Sequence, residues 1–139
     1  MLEHIHLTVR FIHNRGFSHE LVRHRLANYS MESTRYCNYA HTKFGSQLTF
    51  IKPYRGKEED VMCSSDRTNH LMWKNAMIQI EDSYMIMMSN GLSAQAARGV
   101  LPNDIKTEIV ITANIREWRH IFLLRCSKAA HPDMRRVML

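Results

Sequence analysis

The segment Lys106 to Ala113 (KTEIVITA) sets Ile109, Ile111 and Ala113 against Glu108, Val110 and Thr112, and past Asn114 the apolar period changes from two to that of a helix. A period of two puts alternate side chains on opposite faces of a strand, so this run reads as a half-buried strand. Ile115 to Lys128 then reads as a helix with Trp118, Ile121, Phe122 and Leu124 on its apolar side. Glu3 to Ile12 alternates in the same way, with Ile5, Leu7, Val9 and Phe11 opposite His4, His6, Thr8 and Arg10. Strands and helices interleaved like this predict an α+β fold, a small mixed sheet packed with long helices.

The segments between are read from local signals. Asn14-Arg15-Gly16 is a turn. Ser18 suits the N-cap of a helix from His19 to Leu26, with Leu21, Val22 and Leu26 toward the core. Asn28 to Asn38 is polar and reads as a loop, in which Tyr29, Tyr36 and Tyr39 serve either ligand rings or the core. Gln47 to Lys52 reads as a short strand ended by Pro53, and Tyr54 to Asp66 as a surface connection. Thr68 to Asn90 is the longest helix, with a stripe of Leu71, Met72, Asn75, Ile78, Met85 and Met88 and Gly91 at its end. Its methionines (Met72, Met77, Met85, Met87, Met88) suit an adaptable packing surface in a core or between subunits. Ser93 caps a short helix through Arg98, stopped before Pro102, and Pro132 opens a last one. With 139 residues, 45% of them hydrophobic, the chain is expected to form a single domain over 1–139.

Composition excludes some functions. No apolar run is long enough for a bilayer, and the start lacks a signal-peptide pattern, so no membrane partner is expected and the cytoplasm is the expected compartment. Cys37, Cys63 and Cys126 form no CxxC pair and read as reduced thiols without a nucleophile setting. His4 and His6 share a strand face, but no carboxylate or Cys at ligand spacing accompanies them, so no metal is expected. Net charge is +6, and 13 of the 19 basic residues are Arg. Bulk solubility does not need that bias, whereas two-pronged anion recognition favours it.

The chemistry concentrates in Arg23 to Tyr36 (RHRLANYSMESTRY). Arg23 and Arg25, two positions apart, cannot share a helix face, so each guanidinium can serve a different anion. Ser33 and Arg35 add a hydroxyl and a further planar fork. The arrangement reads as a site for two phosphate-bearing ligands side by side, against the plainer reading of a solvated basic helix end.

Arg-His-Arg, seven further residues and then Ser resembles the signature of the flavin-dependent thymidylate synthases. The flanks from Gly16 to Tyr39 are similar too, as are Ala97-Arg98-Gly99-Val100-Leu101-Pro102, Asn114 to His120 (NIREWRH) and Leu124-Arg125. The resemblance covers most of the chain, more weakly from Gln47 to Met72. It implies a thymidylate synthase-complementing-protein-like fold and the reductive methylation of deoxyuridine monophosphate (dUMP) to thymidylate. Methylenetetrahydrofolate would supply the carbon, and FAD, reduced by NADPH, the hydride. Carried over by position, FAD would meet Arg23, His24, Arg25, Asn114, Arg116 and His120. The nucleotide would meet Glu20, Arg23, Ser33, Arg35, Arg98 and Arg125. Arg125, against the uracil edge, would stabilise charge developing on the ring. Some members carry a Glu where this chain has Met31, and its own carboxylate is next door at Glu32. The resemblance also implies a homotetramer with shared sites, and an N-terminally short member, because the opening residues match a segment several dozen residues into typical chains.

Two other classes compete. A flavin- or nucleotide-binding relative without catalysis is motivated by the short N-terminus. A basic nucleic-acid-binding module is motivated by charge, but the Arg residues fall in ordered elements with no RRM, KH or zinc motif, so no nucleic-acid partner is expected.

Overall fold

The computed structural model describes residues 1–53 and 64–139. The predicted surface connection and Cys63 fall largely outside the described residues. Strand β1 (His6–Asn14) leads into helix α1 (Arg15–Leu21), followed by β2 (Ala27–Met31), the long α2 (Ser64–Ser89), the short α3 (Ala94–Ala97), β3 (Lys106–Asn114), α4 (Ile115–Arg125) and α5 (Pro132–Met138). The sheet order is β1-β3-β2. Both pairings are antiparallel, with Val9 opposite Ile111 in one and Tyr29 opposite Ile111 in the other. The α+β expectation holds, with an antiparallel rather than a mixed sheet.

Central β3 buries Thr107, Ile109, Ile111 and Ala113 on one face, as its alternation predicted. Phe17 and Leu21 of α1, Trp118 and Ile121 of α4, and Met134 and Met138 of α5 close over that face. Each large apolar side chain taken out of water there contributes on the order of 1.5–3 kcal/mol. Edge strand β1 follows its predicted face only in part. Val9 and Phe11 pack on the core, but Leu7 is exposed and Ile5 lies exposed before the strand.

A second cluster joins α2 and α3 to the segment before α2 and to the residue before β3: Tyr39, Leu48, Tyr84, Ala97 and Ile105. It corrects the predicted α2 stripe. Met77 and Tyr84 are buried and Ile80, Met85, Met87 and Met88 pack beside them, whereas Leu71, Met72 and Ile78 are exposed. Almost every turn of α2 carries apolar residues, so the sequence pattern alone does not single out the buried face.

Other boundaries move for local reasons. Asn14, not Ser18, caps α1: its Oδ1 accepts from the Phe17 amide, and Ser18 is buried one turn in, donating to the Arg15 carbonyl. The helix therefore ends at Leu21, which leaves Arg23 and Arg25 beyond it and Leu26 77% exposed rather than in the core. Part of the predicted polar loop is β2, because Ala27, Tyr29 and Met31 pack inward while Asn28 and Ser30 face out. The predicted strand Gln47–Lys52 reduces to a single bridge, Phe50 to Ile105. Ser93 precedes α3 without a side-chain cap bond, and α4 ends at Arg125 rather than Lys128.

Candidate functional site

Two strand-to-helix corners of the same kind build the site. Asn14 at the end of β1 and Asn114 at the end of β3 have nearly the same backbone angles (φ −76°, ψ 166° and φ −74°, ψ 165°). Each side chain accepts from the amide three residues on, Phe17 at 2.9 Å and Glu117 at 2.8 Å. An Asn cap of this sort contributes about 1 kcal/mol. The cap also sets the helix phase, so that Glu117 points inward. After α1 the chain reverses through Val22 to Leu26. The Tyr29 hydroxyl ties down that turn, lying 2.8 Å from the Leu21 carbonyl and 2.7 Å from that of His24. Burial, with the charge of Glu117 adding and Arg125 opposing, pushes this phenol up to about 12, so it remains a donor at neutral pH.

Arg125, in the last turn of α4, reaches into this turn. Its Nε donates to His24 Nε2 at 2.9 Å, Nη1 to Glu20 Oε2 at 2.8 Å and Nη2 to the Glu20 carbonyl at 2.7 Å. A guanidinium has five N–H groups, so this arrangement uses three and leaves two. His24 is buried, and burial first, then the charges of Arg125 and His120, push its pKa down to about 4. The imidazole is therefore neutral at pH 7. Its Nδ1 faces Glu117 Oε1 at 3.7 Å, and its ring meets that of His120 edge-on at 5.9 Å. Arg23, Arg25, Leu26, His120 and Leu124 complete the walls of a cavity of about 440 Å³ beside this network.

The other predicted residues lie elsewhere. Ser33 Oγ accepts from the Arg35 amide at 3.4 Å. Arg35 Nε donates to Gln95 Oε1 at 2.8 Å, and its guanidinium sits 5.3 Å from the Tyr36 ring centre. Gln95 lies in α3, just before exposed Arg98. Among the described residues, no hydrogen bond, ion pair or cavity lining joins Ser33, Arg35 and Arg98 to the cavity of Arg23 to Arg25. Arg116 is exposed and pairs with Glu3. Asn114 spends its Oδ1 on the helix cap. Glu32 accepts from the Tyr39 hydroxyl at 2.7 Å and lines a larger cavity, about 720 Å³, on the outer face of β2 and β3.

Sequence reasoning missed Glu117. Its signal was present: an acid three residues after a capping Asn is a helix-start pattern. It also missed that Glu20 and His24 hold Arg125 from two sides. No group of His, Cys, Asp and Glu among the described residues is placed to hold a metal. No helix of the described residues is long and apolar enough to cross a membrane. The donor set of the smaller cavity fits an anionic ligand. Arg23 and Arg25 supply guanidinium groups for phosphate, and half-exposed Leu124 and exposed Leu26 supply apolar surface.

Comparison with known proteins gives the family. The family model for thymidylate synthase complementing protein matches residues 1–139. A flavin-dependent thymidylate synthase of Geobacter sulfurreducens is 34% identical over 122 residues, covering 88% of this chain and 48% of that protein. Those of Pyrococcus furiosus and Thermococcus kodakarensis are each 33% identical, covering 89% and 99% of this chain and 47% and 53% of theirs. The chain thus spans about half the length of the curated relatives it matches. A family match along its whole length, on top of a cavity built from Arg23-His24-Arg25 and the end of α4, places the chain in the thymidylate synthase complementing protein family.

Proposed function

We propose that this chain acts in thymidylate synthesis, the reductive methylation of dUMP to thymidylate, with methylenetetrahydrofolate as carbon donor, FAD as cofactor and NADPH as reductant. The observation that carries the reading is the convergence of Arg125, at the far end of the sequence, on the Arg23-His24-Arg25 turn. Residues a hundred positions apart form one partly buried cationic wall, which a solvated basic helix end does not do.

Arg23 and Arg25 bind phosphate groups, and buried His24 and exposed His120 line the same cavity. Asn114 and Arg116, at the start of α4, would meet the cofactor as the resemblance implies, and neither lines this cavity within one chain. Bound flavin supplies the hydride chemistry, for which this chain has no side chain of its own. Arg125 offers its two remaining N–H groups to the uracil edge, where a fixed positive charge favours the negative charge that develops as C5 becomes nucleophilic. Its donors are oriented before substrate arrives, so little reorganisation accompanies the reaction. Glu20 fixes that guanidinium and lies beside the same ligand. Ser33, Arg35 and Arg98 bind the nucleotide phosphate and sugar.

Because Ser33, Arg35 and Arg98 stand apart from Arg125 within one chain, the reading includes sites shared between copies in a homotetramer. The exposed Leu71, Met72, Ile78 and Ile86 of α2 offer surface for such contacts. The test is turnover: purified chain, dUMP, methylenetetrahydrofolate labelled in its methylene carbon, FAD and NADPH, with thymidylate separated by chromatography. Labelled thymidylate that disappears in Arg125→Ala supports the proposal. Ligand binding without any product supports the non-catalytic relative instead.

A further inference from the structure

If Arg125 does the work proposed for it, whatever aims its guanidinium controls the site. Glu20 holds two of its nitrogens and His24 holds the third. Glu117 touches none of them. Its side chain is nevertheless 7% exposed, and a carboxylate taken out of water is costly unless something compensates. What it faces is His24 Nδ1, 3.7 Å away. With His24 neutral, that contact is not an ion pair. Its consequence is the position of one proton.

Arg125 Nε–H can only donate, so His24 Nε2 must accept. A neutral imidazole that accepts at Nε2 carries its proton on Nδ1, the atom turned toward the Glu117 carboxylate. In the other tautomer two N–H donors would confront each other at 2.9 Å, and a bare nitrogen lone pair would face the carboxylate. Both contacts therefore select the same tautomer. We propose that Glu117 is a positioning residue: it holds the His24 proton on Nδ1, which makes Nε2 the acceptor that aims Arg125. The Asn114 cap places Glu117 for this by fixing the first turn of α4. The inference deepens the reading of Arg125 given above, and rests on it only for what the guanidinium faces.

The experiment is nitrogen-15 NMR of the His24 ring and the Arg125 Nε–H in the labelled chain, in wild type, Glu117→Gln and Glu117→Leu, with far-UV circular dichroism as the check on folding. Wild type is expected to show a protonated Nδ1 and an unprotonated, hydrogen-bonded Nε2. Gln can still present an oxygen to Nδ1 across this contact and preserves this pattern. Leu cannot, and shifts the proton toward Nε2 while the Arg125 Nε–H signal loses its hydrogen bond. Loss of aim also weakens dUMP binding in Glu117→Leu roughly tenfold or more. Wild-type His24 protonated on Nε2 overturns the proposal, and that result needs no variant to fold. So does a folded Glu117→Leu chain with the His24 and Arg125 signals unmoved. If the tautomer responds as described but neither wild type nor Arg125→Ala binds dUMP, the positioning role stands and the functional reading fails.

Discussion

The predicted site residues divide into two groups that differ in what the chain has already done for them. Arg125 is 17% exposed and bonded to Glu20 and His24, and His24 is itself buried. Arg35 and Arg98 are exposed, and the Arg35 guanidinium meets only the Gln95 amide and the Tyr36 ring among the described residues. Both groups belong to the same resemblance and look alike in sequence. The first is oriented before any ligand arrives, so its arginine can act on a small, specific charge change. The second offers charge on flexible side chains, which suits phosphate capture and completion by a neighbouring copy. Burial also makes the first group part of the fold, whereas the second can be changed at almost no structural cost.

That contrast can be broken at several points. The largest effect belongs to Arg125→Ala, which strips Glu20 and His24 of a shared partner. It is expected to lower unfolding stability by about 1–3 kcal/mol and to abolish turnover, read by urea denaturation and product formation. Unchanged stability would mean that the network is not held in solution.

Next in size is a pH effect. Burial and neighbouring cations lower the His24 pKa from 6.5 to about 4, so between those values the unfolded chain binds the proton that the folded chain refuses. Stability should therefore be fully present above pH 6.5, fall as pH drops through the window, and lose up to about 3 kcal/mol by pH 4. The comparison is with His24→Gln, which can still accept from Arg125 but does not titrate. A wild-type slope no steeper than the variant's would contradict the buried, neutral imidazole.

A smaller loss, about 1 kcal/mol each, is expected for Asn14→Ala and Asn114→Ala, because each removes one helix cap. If the account is right they differ in function: Asn114→Ala also loosens Glu117 and weakens dUMP binding more than Asn14→Ala does, by calorimetric titration. Smallest on stability is Arg35→Ala, expected within about 0.5 kcal/mol of wild type, yet clearly weaker for the nucleotide.

What could be read in the sequence follows from how many signals agreed. Lys106 to Asn114 was legible because alternation and burial select the same residues, whereas in the helix after it only Trp118 and Ile121 of the predicted apolar side are buried, and Phe122 and Leu124 are exposed. Pro132 marked α5 for a similar reason, since its ring fits a helix start. Strand β2 was hidden because Asn28 and Ser30 look like loop residues, and only pairing with β3 shows that Ala27, Tyr29 and Met31 face inward. The start of α1 was hidden because Ser18 and Asn14 are both competent caps, and geometry chose Asn14. Arg23-His24-Arg25 was visible as chemistry, but its tie to Arg125 joins positions 101 residues apart and left no local trace. Glu117 carried only a helix-start signal, because what it faces as a site residue is a histidine in another element.

The most direct test of the two-group account is flavin absorption spectroscopy on wild type, Arg23→Ala and Arg35→Ala, adding FAD and then dUMP. The account predicts a bound-flavin spectrum in wild type that shifts with dUMP, no bound flavin in Arg23→Ala, and bound flavin without the dUMP shift in Arg35→Ala. A wild-type chain that leaves the FAD spectrum unchanged, an Arg23→Ala chain that keeps its flavin, or an Arg35→Ala chain that loses it would contradict it.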